Sequence, residues 1–231
     1  MLMGRVEALL VGKAVPFTRE GTHSAIAKRL AGSTVAVSTV GLQGDEQGDR
    51  RIHGGIDKAV HQYPSEHYPS WRSHVGAHAL LRTPGAFGEN LHTSGMTEST
   101  VCLGDVIRCG SVVLEVSQTR QPCWKLNDRF AVGDMALRMQ RTGMTGWYYR
   151  VLEEGEMSVG DSFELLARPY PEWTLWRIIS VLYHRSMDRG ELARLRMLPL
   201  VPSWQRLVDR RLKEGEVEDW SGRLRGSTPS I

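Results

Sequence analysis

A chain of 231 residues, 41% hydrophobic and 24% charged with a formal net charge of +3, is large enough to bury a full core, which excludes disordered, collagen-like and coiled-coil chains. Apolar runs such as Val112 to Leu114 are far too short to cross a bilayer, and Glu7, Lys13, Pro16 and Arg19 interrupt the stretch where a secretion signal would lie, so no membrane association and a cytoplasmic location are expected. Three cysteines, Cys102, Cys109 and Cys123, with no CxxC pair, exclude a disulfide framework and a tetrathiolate zinc or iron-sulfur site within the chain.

Strands come first along the chain. Arg5 to Val11 and Thr34 to Val40 are aliphatic or β-branched and bounded by Gly12, Gly32 and Gly41, the punctuation of short strands. A helical pattern follows around Ser65 to Leu81. Val101 to Arg108 and Ser111 to Gln118 flank Cys109-Gly110 and should pair as a hairpin. A second helix is predicted from Asp134 to Thr142, with Gly143 placed to end it in the left-handed conformation. Gly160-Asp161 then leads into Phe163 to Leu166. Short strands with glycine at the corners suggest a barrel or compact sandwich.

The texture changes after Arg168-Pro169-Tyr170-Pro171. Trp173, Trp176, Ile179 and Tyr183 fall at helical spacing. Asp188 is placed to cap a second helix carrying Leu192, Leu195 and Leu198, and Ser203 a third with Trp204, Leu207 and Val208. The expected organisation is therefore a mainly β domain over residues 1–167 and a small three-helix domain over 168–231. Charge divides the same way: residues 1–167 hold 17 Lys+Arg against 18 Asp+Glu, and 168–231 hold 12 against 8. The basic surplus belongs to the tail. It permits a DNA-binding helix-turn-helix, but the apolar third helix faces a core, and Arg210, Arg211 and Lys213 gather only at its end, which argues against nucleic acid. The tail also reads as a docking surface for an acidic partner, or as an appendage burying its tryptophans on the barrel or on a second subunit, so a homodimer stays open.

The densest polar stretch runs from Gly41 to Pro64. Gly41, Gly44, Gly48, Gly54 and Gly55 allow close backbone approach to a ligand, and Arg50, Arg51, His53, Lys58 and His61 supply donors for phosphate or another anion. Composition alone fits a solvated surface loop equally well; the density of these donors in an otherwise net-acidic domain favours an anion-binding loop. Neither GxxxxGK[ST] nor a GxGxxG following a strand occurs. A second stretch, Ser117-Gln118-Thr119-Arg120-Gln121-Pro122-Cys123-Trp124-Lys125-Leu126-Asn127, places a cysteine just past a strand end between Arg120 and Lys125. There a thiolate, the form that binds a soft metal, would be favoured, although a purely structural cysteine fits as well. Cys102 and Cys109 read as small core residues. Six of the eight histidines lie between His53 and His92, and His74 and His78 are spaced to share a helix face, but no HExxH is present and zinc is disfavoured.

These segments resemble the MOSC-domain family, the type of domain found at the C-terminus of molybdenum cofactor sulfurases, and specifically its stand-alone YiiM-like branch. The resemblance is carried by Gly41-Leu42-Gln43-Gly44-Asp45, His53-Gly54-Gly55-Ile56-Asp57-Lys58-Ala59-Val60, Tyr63-Pro64, Phe87-Gly88-Glu89-Asn90-Leu91, Gly104-Asp105 and Arg120-Gln121-Pro122-Cys123. It continues into a tail similar to the 3-alpha domain of that branch. Thr119 departs from the pattern, which has proline there.

The resemblance implies a MOSC-type β-barrel with peripheral helices, and a molybdenum cofactor (molybdopterin) held in its cavity. It implies Cys123 as the protein's ligand to the metal. It further implies reduction of N-hydroxylated bases such as 6-N-hydroxylaminopurine to N–H compounds, a detoxification. On that footing Arg50, Arg51, Lys58, Arg120 and Lys125 are expected to face the pterin phosphate, Glu89, Asn90 and Asn127 to bond the pterin or base, and His53 or His61 to donate a proton to the departing oxygen. No flavin, nicotinamide or iron-sulfur motif is present, so a separate reductase must deliver electrons. The rival function is a cofactor carrier or sulfur-transfer protein without turnover.

Overall fold

The computed structural model describes residues 1–48 and 54–226. The N-terminal half contains β1 (Leu2–Val11), the short strands β2 (Val15–Pro16), β3 (His23–Ser24), β4 (Arg29–Leu30), β5 (Thr34–Ser38) and β6 (Gly41–Leu42), then β7 (Val60–Pro64), α1 (His67–Val75) and β8 (Leu91–Ser94). After these come β9 (Val106–Cys109), β10 (Val112–Thr119), α2 (Lys125–Phe130), α3 (Met135–Thr142), β11 (Trp147–Glu153), β12 (Gly155–Ser158) and β13 (Ser162–Ala167). The tail holds α4 (Leu175–Leu182), α5 (Arg189–Arg196), α6 (Pro202–Glu214) and α7 (Ser221–Arg225).

Among the described residues, seven strands close into a barrel in the order β1-β13-β9-β10-β11-β7-β8. The long first strand makes the closure: Leu2 and Arg5 face Glu164 and Ser162 of β13, while Val6 and Leu9 face Thr93 and Leu91 of β8. An odd ring cannot alternate direction throughout, so one adjacent pair must run parallel. That pair is β7 and β8, with Gln62 opposite Leu91. A parallel pair needs a long crossover, and residues 65–90, with α1 and a short 3-10 turn at Ala79–Arg82, supply it. The expected hairpin forms, with Val112 opposite Cys109 and Glu115 opposite Val106, although β9 is shorter than the Val101 to Arg108 run.

The predicted helix from Ser65 to Leu81 is cut short. Gly76, at φ 77°, ends α1, and His78 lies beyond it, where its Nδ1 accepts from the Leu80 N–H and its Nε2 meets the Phe130 carbonyl at 3.0 Å. His74 and His78 therefore do not share a helix face, and no cluster of three or more metal-ligating side chains occurs among the described residues. The helix ending at Thr142 stops as expected, with Gly143 left-handed at φ 69°. There a Cβ would meet the Trp176 ring at 2.5 Å, so glycine also lets the tail approach.

The tail holds the expected helices with one corrected cap and one addition. Asp188 caps α5, accepting from the Glu191 N–H at 3.0 Å. The third helix instead begins on Pro202 with Val201 before it, because proline lacks the N–H that a cap would satisfy and is pre-set for the first helical turn. A fourth short helix, α7, follows. The tail is not a separate core: Val6, Ile107 and Val116 of the barrel and Ile178, Leu192 and Trp204 of the tail belong to one buried cluster. Arg211, wholly buried, donates to the Val181 and Leu182 carbonyls and to Glu218, so this basic residue is spent inside the tail. Among the described residues, no helix is long and apolar enough to cross a membrane.

Several polar contacts join barrel to tail, Asp105 and Thr119 making two of them. Asp105, fully buried, takes two hydrogen bonds from Arg168 at 2.7 and 2.8 Å and one from the Cys102 N–H. Thr119, at the end of β10, donates to the Tyr183 hydroxyl at 2.6 Å, which gives the threonine standing in place of proline a definite structural role. Replacing Tyr183 with Phe leaves the Thr119 hydroxyl buried without this acceptor and should cost about 1–2 kcal/mol, read as a lower urea midpoint at unchanged slope.

Candidate functional site

The barrel register places four residues at one level around its mouth. Tyr148 of β11 faces His61 of β7 on one side and Gln118 of β10 on the other, while the Asn90 N–H donates to the His61 carbonyl. Above this row opens a cleft lined by both charged and apolar side chains. Its walls are Ser24, Ala25, Ile26 and Lys28, the Asp45–Gly48 loop, Lys58, Ala59 and His61, Phe87, Gly88 and Asn90, Arg120, Gln121, Cys123 and Lys125, and Tyr148. Gly88, at φ 74°, packs so tightly on Ile26 that a Cβ would lie 2.7 Å from its side chain, so this wall closes only with glycine.

Six of the expected residues meet here: Lys58, His61, Asn90, Arg120, Cys123 and Lys125. Cys123, 7% exposed, is the one cysteine lining the cleft. Burial pushes the Cys109 thiol up to about 12 and raises that of Cys102, whose sulfur lies 3.5 Å from the Pro171 carbonyl at the tail junction. Arg120 is buried and pairs with no carboxylate among the described residues; its Nη1 meets the soft Met139 sulfur at 3.6 Å. Lys125 donates to the His23 carbonyl at 2.6 Å. Burial, with the nearby Arg223 charge, lowers the Lys58 ammonium to about 8 against the opposing pull of Asp57 and Cys123. Arg50, Arg51 and His53 lie outside the described residues.

The remaining expectations are corrected by where the side chains go. Glu89 points away from the cleft into the crossover: its carboxylate accepts from the Tyr68 hydroxyl at 2.5 Å and from the Gly85 and Phe87 N–H groups at 2.7 and 3.0 Å. Burial alone would raise this carboxyl, but donors from His92, Tyr68 and the backbone outweigh it and hold it down at about 2. Asn127 is likewise structural, accepting from the Ala136 N–H and donating to the Leu224 carbonyl. Asn90 reaches the cleft wall, yet its amide donates to Leu10 and Asp45 and accepts from the His61 N–H, leaving little for a ligand.

His61 has the wrong polarity for a proton donor. Burial, reinforced by Arg120, pushes its imidazole down to about 3, so it is neutral near pH 7. Its Nδ1 lies 3.2 Å from the Gly88 carbonyl, a contact that requires a proton on Nδ1 and leaves Nε2 a bare acceptor, buried and without a partner among the described residues.

The sequence reading missed Lys28 and Arg223. Lys28 sits in an unremarkable Ala-Lys-Arg run, and only folding brings its ammonium 2.5 Å from Asp45 at the cleft wall. Burial lowers that ammonium below its ordinary value, with Asp45 opposing. Arg223 lies about 100 positions from the loop it touches.

Comparison with known proteins adds an independent line. A family model described as the MOSC domain matches residues 49–164, and one described as the YiiM-like 3-alpha helix domain matches 173–215. The chain is 40% identical to Protein YiiM of Escherichia coli over 90% of its length and 92% of that protein. It is 40% identical over 82% of its length to a protein of Gibberella moniliformis named "Reductase", of which it spans 34%. The crystal structure of YiiM from Escherichia coli superposes with a TM-score of 0.79 at 34% identity, covering 96% of this chain and 99% of that one.

The corrected role of Glu89 makes a pH prediction. Its folded value lies below the unfolded one, so its contribution to stability is complete above the unfolded value of about 4.3 and is lost as pH falls toward about 2. Urea midpoints measured from pH 5 to pH 2 should fall across that window. Glu89→Gln should flatten this acid limb and cost about 2–3 kcal/mol at neutral pH, because an amide NH2 would replace an acceptor of backbone N–H groups.

Proposed function

Because the chain belongs to the MOSC-domain family, in its YiiM-like branch, we propose that it is an oxidoreductase that uses the molybdenum cofactor to reduce N-hydroxylated bases such as 6-N-hydroxylaminopurine. The observation that carries this reading is the pairing, in one cleft, of the thiol of Cys123 with the cationic side chains of Lys58, Arg120 and Lys125. A free metal ion needs a cage of several ligands, and the described residues offer none. A metal that arrives chelated by its own pterin needs one soft protein ligand and a cationic setting for its phosphate, and this donor set fits that group. The relative named a reductase points the same way.

Reducing R–NH–OH to R–NH2 consumes two electrons and two protons and releases water. Bound in the cleft, the molybdenum cofactor supplies the two-electron chemistry that no amino-acid side chain can deliver. Cys123 holds the metal through its sulfur. Arg120 and Lys125 pair with the phosphate, Arg120 being buried with no carboxylate partner among the described residues. Tyr148, its ring 4.9 Å from that of His61, forms an aromatic wall for a flat base. His61 Nε2 accepts a hydrogen bond rather than giving a proton. Lys58, titrating at about 8, is the described cleft side chain suited to release a proton near neutrality. Electrons come from a separate reductase partner.

Purified protein should carry molybdenum and pterin in near-equal amounts by elemental analysis and pterin fluorescence; stoichiometric zinc would overturn the reading. Loaded protein given a chemical reductant should consume 6-N-hydroxylaminopurine, whereas bound cofactor without turnover would favour the carrier alternative. Cys123→Ser should lose metal and turnover by on the order of 100-fold or more. For Lys58, kcat/KM should decline as pH rises through about 8. In Lys58→Arg, which keeps the charge but gives up no proton, that limb should vanish and kcat/KM should fall about 100-fold.

A further inference from the structure

Helix α7 (Ser221–Arg225) lies beyond both segments matched by the family models, which end at residues 164 and 215. It nevertheless grips the loop that carries Cys123. The Arg223 guanidinium donates from Nη2 to the Gln121 carbonyl and from Nε to the Pro122 carbonyl, each at 3.1 Å, so one planar fork binds the two peptide groups that precede the cysteine. On the other side of the cysteine, the Trp124 N–H donates to the Arg223 carbonyl at 2.9 Å and Asn127 donates to the Leu224 carbonyl at 2.8 Å.

The helix is itself anchored. Trp220, 3% exposed, stands edge-on to Tyr183, the residue that bonds Thr119 at the start of the loop. Leu224 is buried, and Arg19 from the N-terminal region donates to the Arg225 carbonyl, pairs with Asp128 at 3.2 Å, and lies 3.9 Å over the Trp124 ring. The loop from Thr119 to Asn127 is thus held from the tail at both ends and at its centre. No secondary structure of its own fixes Gln121 and Pro122, so the direction of the cysteine depends on these contacts.

We propose that Arg223 is a positioning residue for Cys123, and that α7 is a latch that sets where the thiol stands in the cleft and shields it from solvent. The assignment of Cys123 as the working thiol rests on the function proposed above, but the latch can be tested without cofactor. An arginine suits the task because its fixed fork reaches two carbonyls at once, where a lysine offers a single point.

The test compares wild type, Arg223→Gln and Arg223→Lys, full length and cofactor-free, by the rate at which iodoacetamide labels each cysteine, read by peptide mass spectrometry. Cys102 and Cys109, 1% and 0% exposed, report on unfolding within the same sample. Arg223→Gln should label Cys123 about tenfold faster with the other two still protected, and Arg223→Lys should recover part of the protection. In cofactor-loaded protein, Arg223→Gln should lower kcat about tenfold with KM within about twofold of wild type. Labelling of Cys123 at the wild-type rate in both variants would overturn the latch. If Arg223→Gln labels all three cysteines, the folded Arg223→Lys variant decides, and wild-type labelling there also overturns it. Cofactor retention by Cys123→Ser would sink the functional reading instead, and leaves the labelling result standing.

Discussion

A ring of seven strands cannot alternate direction all the way round, and the pair that must run parallel decides where the cleft lies. Because β7 and β8 run the same way, both begin at the same rim, and the chain must travel over the outside to reach the second. It arrives at that rim through Phe87, Gly88 and Asn90, beside the start of β7 at Val60 and His61. The loop after β10 reaches the same cleft because β7 begins level with the last residues of β10: Gln118 lies opposite Tyr148, and Tyr148 opposite His61. Segments far apart in sequence therefore converge on one mouth.

Buried carboxylates keep this mouth in shape. Glu89 gathers the crossover end onto itself through the Gly85 and Phe87 N–H groups. Glu98 does the same for the turn into β11, accepting from Thr145 and Gly146 N–H at 2.9 and 2.7 Å and from His67 at 2.7 Å. Asp105 serves the barrel-tail junction, and Asp45 neutralises Lys28 while accepting from the Gly12 N–H. Each such carboxylate has donors enough to offset its desolvation. Glu89, Glu98 and Asp105 thus work behind the cleft wall, while Asp45, paired with Lys28, lines it together with Lys58, Arg120 and Lys125.

The tail takes part in the site as well as in the core. Thr119, Arg120, Gln121, Pro122 and Cys123 follow one another off the end of β10, and residues beyond 180 hold this stretch: Tyr183 on the threonine, Arg223 on the loop carbonyls, Leu224 on Asn127. A loop flanked by a rigid barrel strand on one side and held by a packed helix on the other loses the freedom that would otherwise spread the thiol over many positions. That arrangement explains why a small helical appendage shares one hydrophobic cluster with the barrel instead of folding around its own.

What the sequence by itself determined was local: strands punctuated by glycine, the left-handed stop at Gly143, the cap at Asp188, the Cys109-Gly110 hairpin, and the grouping of basic residues near Cys123. These follow from backbone geometry and short-range spacing, which a linear reading can see. It did not show that α1 stops at Gly76, that Pro202 begins α6, or that a fourth helix follows. Nor could it separate Asn90, a side chain at the wall, from its neighbour Glu89, a side chain behind it, since adjacent residues of an extended segment point in opposite directions and only the barrel defines which is inward. The polarity of His61, the depressed Lys58 and the reach of Arg223 across about 100 residues belong to tertiary structure alone, because desolvation and charge proximity exist only once distant segments share the same small volume.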